Sequence, residues 1–239
     1  EFDPEGCAAC GMATNPENAY RNGTMYSSYT ASSFARLYDL AARYQINLEG
    51  AMSWSFEFED QRWFDGFRDL ATNGVDKPVL NVFRMYGLMQ GNRLKVTNTK
   101  EIPLDSILKS SVRTKSPDVH ALASANDQCA SVMIWNYHDA DAYREDVSVR
   151  MIIQSIPADK VLLTHFRIDQ DHSNAYEVWK KMGSPQNVSG EQYEILEKAG
   201  QLEMLHAPRW VKTTAGEVSV EFFLPAQGVS LIAVQFERN

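Results

Sequence analysis

No run of some 18 apolar residues occurs in this 239-residue chain, so nothing in it reads as a transmembrane helix. Basic residues are outnumbered, 23 Lys and Arg against 31 Asp and Glu. The resulting net charge of −8 does not supply the cationic surface that nucleic-acid phosphates require. Cysteine is scarce: Cys7, Cys10 and Cys129 are the only three. Cys7-Ala-Ala-Cys10 has redox or metal spacing, but no second Cys pair or His pair completes a zinc site. The following Gly11–Pro16 segment is loop-like, not the helix of a thioredoxin-type motif. A local disulfide and reduced loop cysteines both stay open, the reduced form being preferred. The five histidines show no HxxH or HExxH spacing, no serine lies in a nucleophile elbow, and no Gly-rich phosphate loop is present. No metal or cofactor is therefore expected. The first residues carry no secretory leader pattern.

What is present is ordinary globular composition, 44% hydrophobic and 23% charged, in a chain long enough for one or two domains. The most informative stretch is Trp54-Ser-Phe-Glu-Phe-Glu-Asp-Gln-Arg-Trp-Phe-Asp-Gly-Phe67. Glu57, Glu59 and Asp60 lie between Trp54 and Trp63, and seven aromatic or acidic residues fall within ten positions. Burying an unpaired carboxylate beside aromatic rings costs several kcal/mol, so such mixing is normally avoided. A sugar suits it, because rings pack on its C–H face while carboxylates accept its hydroxyls. The plainer alternative is core aromatics with a solvated acidic rim.

Residues 1–25 read as an extended loop rich in Gly, Pro, Asn and Thr. Ser27–Gln45 carries Phe34, Leu37, Tyr38, Ala41 and Tyr44 at helical spacing. Leu48–Phe56 reads as a strand, and Lys77–Met89 as a helix with Pro78 in its first turn. Loop, helix, strand, loop and helix in that order form the tail of a βα repeat, with too few strands to close a barrel. After Gln90 short β-rich runs recur at 94–97, 119–124, 130–138, 147–153, 161–168, 202–205, 218–224 and 229–236, the pattern of an antiparallel sandwich. A helical insertion at 175–199 interrupts them, with Ser189 and Gln192 as a capping box and Asn174 as a cap for Ala175. His138, His165 and His172 take structural roles on this reading, Trp135-Asn-Tyr137 is core, and Asn22 and Asn187 fit the glycosylation pattern only as a common chance match.

Trp54-Ser-Phe-Glu-Phe-Glu-Asp-Gln61 and Gly66-Phe-Arg-Asp-Leu-Ala-Thr-Asn-Gly-Val-Asp-Lys-Pro-Val-Leu-Asn-Val-Phe83 resemble the last barrel strand and helix of glycoside hydrolase family 39, in its bacterial β-xylosidase branch. The resemblance continues through Val132–His138, His165–Asp169, His172–Tyr176, Met182–Gln186 and Leu224–Leu231. It implies a mixed α/β and β fold: the C-terminal remnant of a (β/α)8 TIM barrel over 1–89, then an antiparallel β-sandwich over 90–239.

Family 39 enzymes are retaining glycosidases, using a nucleophile and an acid/base carboxyl about 5–5.5 Å apart. The resemblance matches Glu1 to the nucleophile that ends strand seven, against the alternative that Glu1-Phe2 is a cloning-site dipeptide. It matches Glu59 and Asp60 to the acidic pair that reaches the bound xylose, and Trp54 to the floor of that subsite. Glu57 is a less direct match, a salt bridge to Arg62 or Arg68 being as good a reading. The acid/base has no match, because no asparagine in this chain is followed by glutamate. The resemblance implies a β-xyloside or xylo-oligosaccharide substrate and, for this chain, either self-association or a companion N-terminal barrel segment. A non-catalytic carbohydrate-binding or barrel-supporting module and an α-L-iduronidase-like activity are the alternatives.

Overall fold

The computed structural model describes residues 6–99 and 101–237. A 3-10 helix, Pro16–Asn22, opens with the Asn15 side chain accepting from the Glu17 amide. It runs into α1, Thr24–Tyr44, which stops where Gln45 turns left-handed (φ 55°). The helix after the acidic loop is α2, Pro78–Leu88. Both helices fall where the 3.6-residue period and Pro78 place them. A short helix not anticipated from sequence, α3, spans Leu104–Ser110.

The expected strand Leu48–Phe56 is not formed. A strand exists through its ladder, and no described segment runs beside this one to supply it. Among the described residues its one ladder-like feature is the Phe56 carbonyl, which accepts from the amides of Leu70 and Ala71, both at 2.9 Å. Several of its apolar side chains face solvent, Met52 at 89% exposure and Phe56 at 54%. A small hairpin follows, β1 (Ala71–Thr72) with β2 (Val75–Asp76).

The later strands are β3 (Asn92–Leu94), β4 (Asp118–Ala125), β5 (Cys129–Tyr137), β6 (Val147–Ile153), β7 (Lys160–Ile168), β8 (Glu203–Lys212), β9 (Val218–Leu224) and β10 (Val229–Phe236). All pair antiparallel, in a six-stranded sheet ordered β3-β4-β5-β10-β7-β8 and a separate pair, β6-β9. Strand β8 is longer than its apolar run and continues through Pro208. An edge strand tolerates proline, and the β7–β8 register shifts nearby.

Alternation along the strands sends side chains to two cores. Met133, Trp135 and Tyr137 of β5 meet Ala31 and Ala35 of α1 and Val82 and Met85 of α2. Ala130 and Ile134 of the same strand face β6 and β9, against Ile153, Val218 and Val220. The fold is thus mixed α/β: a helical layer, a six-stranded sheet and a two-stranded ribbon. One core joins residues on both sides of Gln90.

A buried ion pair reinforces that junction. Arg36 of α1 donates to Asp118 Oδ1 of β4 at 2.9 Å, while Ser32 and the Trp135 indole donate to Oδ2 at 3.0 and 2.9 Å. The insertion forms α4 (Ala175–Lys181) and α5 (Gly190–Gly200), with Asn174 capping the first and the Ser189/Gln192 capping box opening the second. Asn22 is fully buried: its amide donates to Phe64 O at 2.7 Å and its oxygen accepts from Gly66 N at 3.2 Å, a structural role that leaves it no surface for a glycan.

His165 of β7 is buried, its Nε2 3.0 Å from Ser230 Oγ and its ring edge-on to Phe222. Burial, reinforced by Arg167, lowers its pKa to about 3. An unfolded imidazole titrates near ~6.5, so below that pH the unfolded chain binds a proton that the folded chain excludes. This stability is fully present above about pH 6.5 and is lost as pH falls toward 3, at up to ~1.4 kcal/mol per unit. Between pH 7 and 4.5 the urea-unfolding free energy should fall by roughly 2–3 kcal/mol more than in His165→Gln. Equal losses in the two proteins would remove this imidazole from the account.

Candidate active site

The acidic stretch is shaped by a tight turn. Asn73 (φ 48°) and Gly74 (φ 80°) join β1 to β2 with both residues left-handed, the geometry that favours Asn-Gly in two-residue hairpins. The Gly74 amide donates to both Glu57 oxygens, at 3.1 and 3.2 Å, which answers the question left by the sequence: Glu57 is held by backbone. The Asn73 side-chain Nδ2 donates to Gln61 O at 3.4 Å. Asp60 is itself left-handed (φ 54°), so the chain reverses there and the neighbouring acids gather.

Glu57, Phe58, Glu59, Asp60 and Asn73 together line an open concavity of about 340 Å³. Three of the residues expected at the site are thereby brought together. Trp54 is not among the lining residues; it is about half exposed, with the Arg68 guanidinium 5.6 Å from its ring centre. Asn73 was missed as a site residue, although Asn-Gly between short apolar segments is the strongest local hairpin signal. Glu1 lies outside the described residues.

Beneath the acids lies a buried polar layer. Lys77 and Asp69 are fully buried and ion-paired, and Gln61 donates to the second Asp69 oxygen at 2.8 Å. Burial raises the Asp69 pKa and lowers that of Lys77, each opposed by the other's charge. To one side, Phe64 is buried against Tyr176 and Trp179 of α4, with ring centres 5.3 and 5.1 Å away. Gln186 bonds the Trp63 backbone twice, accepting from its amide at 3.0 Å and donating to its carbonyl at 3.3 Å. The helical insertion therefore braces the loop that carries the acids.

To the other side, Cys7 and Cys10 form a disulfide, correcting the preference for reduced cysteines. A CxxC spacing alone does not distinguish these states; here the buried Arg21 guanidinium holds the loop by donating to Cys7 O, Cys10 O and Gly66 O at 3.0–3.4 Å. Among the described residues no group of three His, Cys, Asp or Glu is placed to hold a metal, and no helix is long and apolar enough to cross a membrane. A larger groove of about 680 Å³ runs between β4, β5 and β6, but it is lined by none of the acids above.

Comparison with known proteins places this arrangement. The model of glycosyl hydrolases family 39 matches residues 9–216. A β-xylosidase of Caldicellulosiruptor saccharolyticus is 25% identical over 138 residues, 58% of this chain and 25% of that protein. A monomeric β-xylosidase from Caulobacter crescentus CB15 superposes with a TM-score of 0.74 at 16% identity, over 94% of this chain and 44% of its own. The GH39 enzyme from Xanthomonas axonopodis pv. citri gives 0.73 at 15% identity, over 93% and 43%. The bacterial orthologue of human α-L-iduronidase gives 0.68 at 15% identity, over 92% and 39%. These structural likenesses speak for the fold alone, and the chain spans less than half the length of each relative. The family match itself runs through the helical layer, the acidic loop and most of the sheet, and on that extent the chain belongs to glycosyl hydrolases family 39.

Proposed function

We propose that this chain is the C-terminal segment of a retaining β-xylosidase that releases xylose from xylo-oligosaccharides. Residues 1–89 are the end of a (β/α)8 barrel, and residues 90–239 a β-sandwich bearing the insertion at 175–199. The observation that carries the reading is the convergence of Glu57, Glu59 and Asp60 on one open concavity, in a chain of this family. Exposed carboxylates there accept sugar hydroxyls through charge-assisted hydrogen bonds.

The mechanism is double displacement. The Glu1 carboxylate attacks the anomeric carbon while an acid protonates the departing glycosidic oxygen, leaving a xylosyl ester on Glu1. The same acid, now a base, takes a proton from water, which attacks the anomeric carbon and frees Glu1. The acid/base belongs to a part of the barrel that these residues do not include. The solvent-facing Tyr44, Ile46, Met52 and Phe56 are the apolar surface such a companion segment, or a second copy, would cover.

An α-L-iduronide is disfavoured, because its carboxylate would meet three acids at the concavity. In the full-length protein Glu59→Gln should lower kcat/KM on an aryl β-xyloside by roughly 10- to 150-fold, the equivalent of a charged hydrogen bond worth about 1.5–3 kcal/mol. Unchanged kinetics would remove Glu59 from the subsite. Turnover of an aryl α-L-iduronide in place of the xyloside would favour the alternative substrate, and turnover of neither would favour a supporting module.

A further inference from the structure

We propose that Asp69 is the positioning residue for the acidic loop: its carboxylate anchors Gln61, the residue that closes the Phe58–Gln61 turn, to Lys77 at the start of α2, and so fixes Glu59 and Asp60 for sugar binding. The inference rests on reading Glu59 and Asp60 as the sugar-binding acids.

The geometry is specific. One Asp69 oxygen accepts from Gln61 Nε2 at 2.8 Å, the other from Lys77 Nζ. Phe58 and Gln61 bracket Glu59 and Asp60, which sit exposed at the tip of the turn with Asp60 left-handed. Gln61 is further held by Ala71 O at 3.3 Å, and Lys77 Nζ by Phe67 O at 3.1 Å. One buried carboxylate thus joins the acidic turn, the start of β1 and the first turn of α2.

The chemistry explains why an ion pair sits there. Gln61 and Lys77 each donate to a different Asp69 oxygen, and an ionised carboxylate accepts both with no proton of its own on either oxygen. Without Lys77, burial would protonate Asp69 and set its new O–H against a donor. A buried ion pair is a weak source of stability compared with apolar residues of the same volume. What this one provides is a single loop geometry, and displacement of a binding group by about 1 Å can cost on the order of 100-fold in rate.

The test is a double-mutant cycle in the full-length protein with an aryl β-xyloside, measuring kcat and KM separately. Glu59→Gln is combined with Asp69→Asn, which keeps the shape but turns an acceptor into a donor. It is combined separately with Gln61→Met, which cuts the link and leaves the ion pair intact. Gln61→Met carries the test alone if Asp69→Asn fails to fold. Each single substitution is expected to lower kcat/KM by about 10-fold or more, mostly through KM, with the thermal midpoint of Gln61→Met close to that of the parent. In the Glu59→Gln background each second substitution should lower kcat/KM by clearly less than it does in the parent, since one of the two acids it positions is already gone. Effects that multiply independently of Glu59, or no effect of Gln61→Met beside a damaging Glu59→Gln, would overturn the positioning role alone. A kinetically silent Glu59→Gln would overturn the subsite reading and the clamp with it.

Discussion

The isolated 239-residue chain is expected to leave a chromogenic β-xyloside unhydrolysed, while the full-length protein turns it over. In the latter, Glu1→Gln should lower kcat on the order of 10⁴-fold or more, the scale seen when one member of a covalent catalytic unit is removed. The reasoning is one of proton supply. Cleavage of a xyloside needs a carboxyl group to protonate the leaving oxygen and another on the opposite side to attack, at a separation of about 5–5.5 Å. The acids gathered at the concavity are Glu57, Glu59 and Asp60. Glu57 is occupied with the Gly74 amide, and the other two sit at a solvent-exposed tip suited to accepting hydroxyls. None matches the family's Asn-Glu pair, and no such pair occurs in the chain. Robust turnover by the 239-residue chain, lost on Glu1→Gln, would show that these residues assemble a complete dyad and would sink the proposal.

Arg36→Met should be strongly destabilising, by roughly 3–5 kcal/mol in urea unfolding. Arg36 and Asp118 lie 82 positions apart in sequence, and their side chains are 6% and 0% exposed. Removing the guanidinium strands a carboxylate that keeps only the hydroxyl of Ser32 and the indole of Trp135 as neutral donors. The companion Arg36→Met/Asp118→Asn protein should recover part of the loss, because a neutral amide can accept from both donors without a countercharge. A single-mutant cost below about 1 kcal/mol would show that the helical layer is held to the sheet by apolar packing alone.

The local elements were legible where their signals are local. Ala175–Lys181, Val147–Ile153, Val218–Leu224 and Val229–Phe236 have the bounds that period and turn residues predict, and the Ser189/Gln192 capping box forms as its spacing requires. Caps and turns act across three or four residues, so a chain read alone contains them. The acids of the loop were legible for the same reason, since their clustering is a property of ten consecutive positions.

Other features depend on partners distant in sequence. Leu48–Phe56 has the composition of a strand, yet a strand is defined by the ladder beside it, and none is present among the described residues. Strand β8 runs through Pro208 because its free edge has no bond for proline to break, a fact about neighbours. Cys7-Ala-Ala-Cys10 is compatible with thiols, metal or a disulfide until the loop around Arg21 brings the sulfurs together. Asp69, Lys77 and Gln61 looked unremarkable in sequence, and only burial made one carboxylate the anchor of the acidic turn. By itself, then, the sequence determined periodicity, caps, the clustered acids and the family. The tertiary structure decided which edges pair, which charges lose their water and which acids share a concavity. Those outcomes are set by desolvation and by contacts between residues tens of positions apart, and such contacts exist only once the chain has folded.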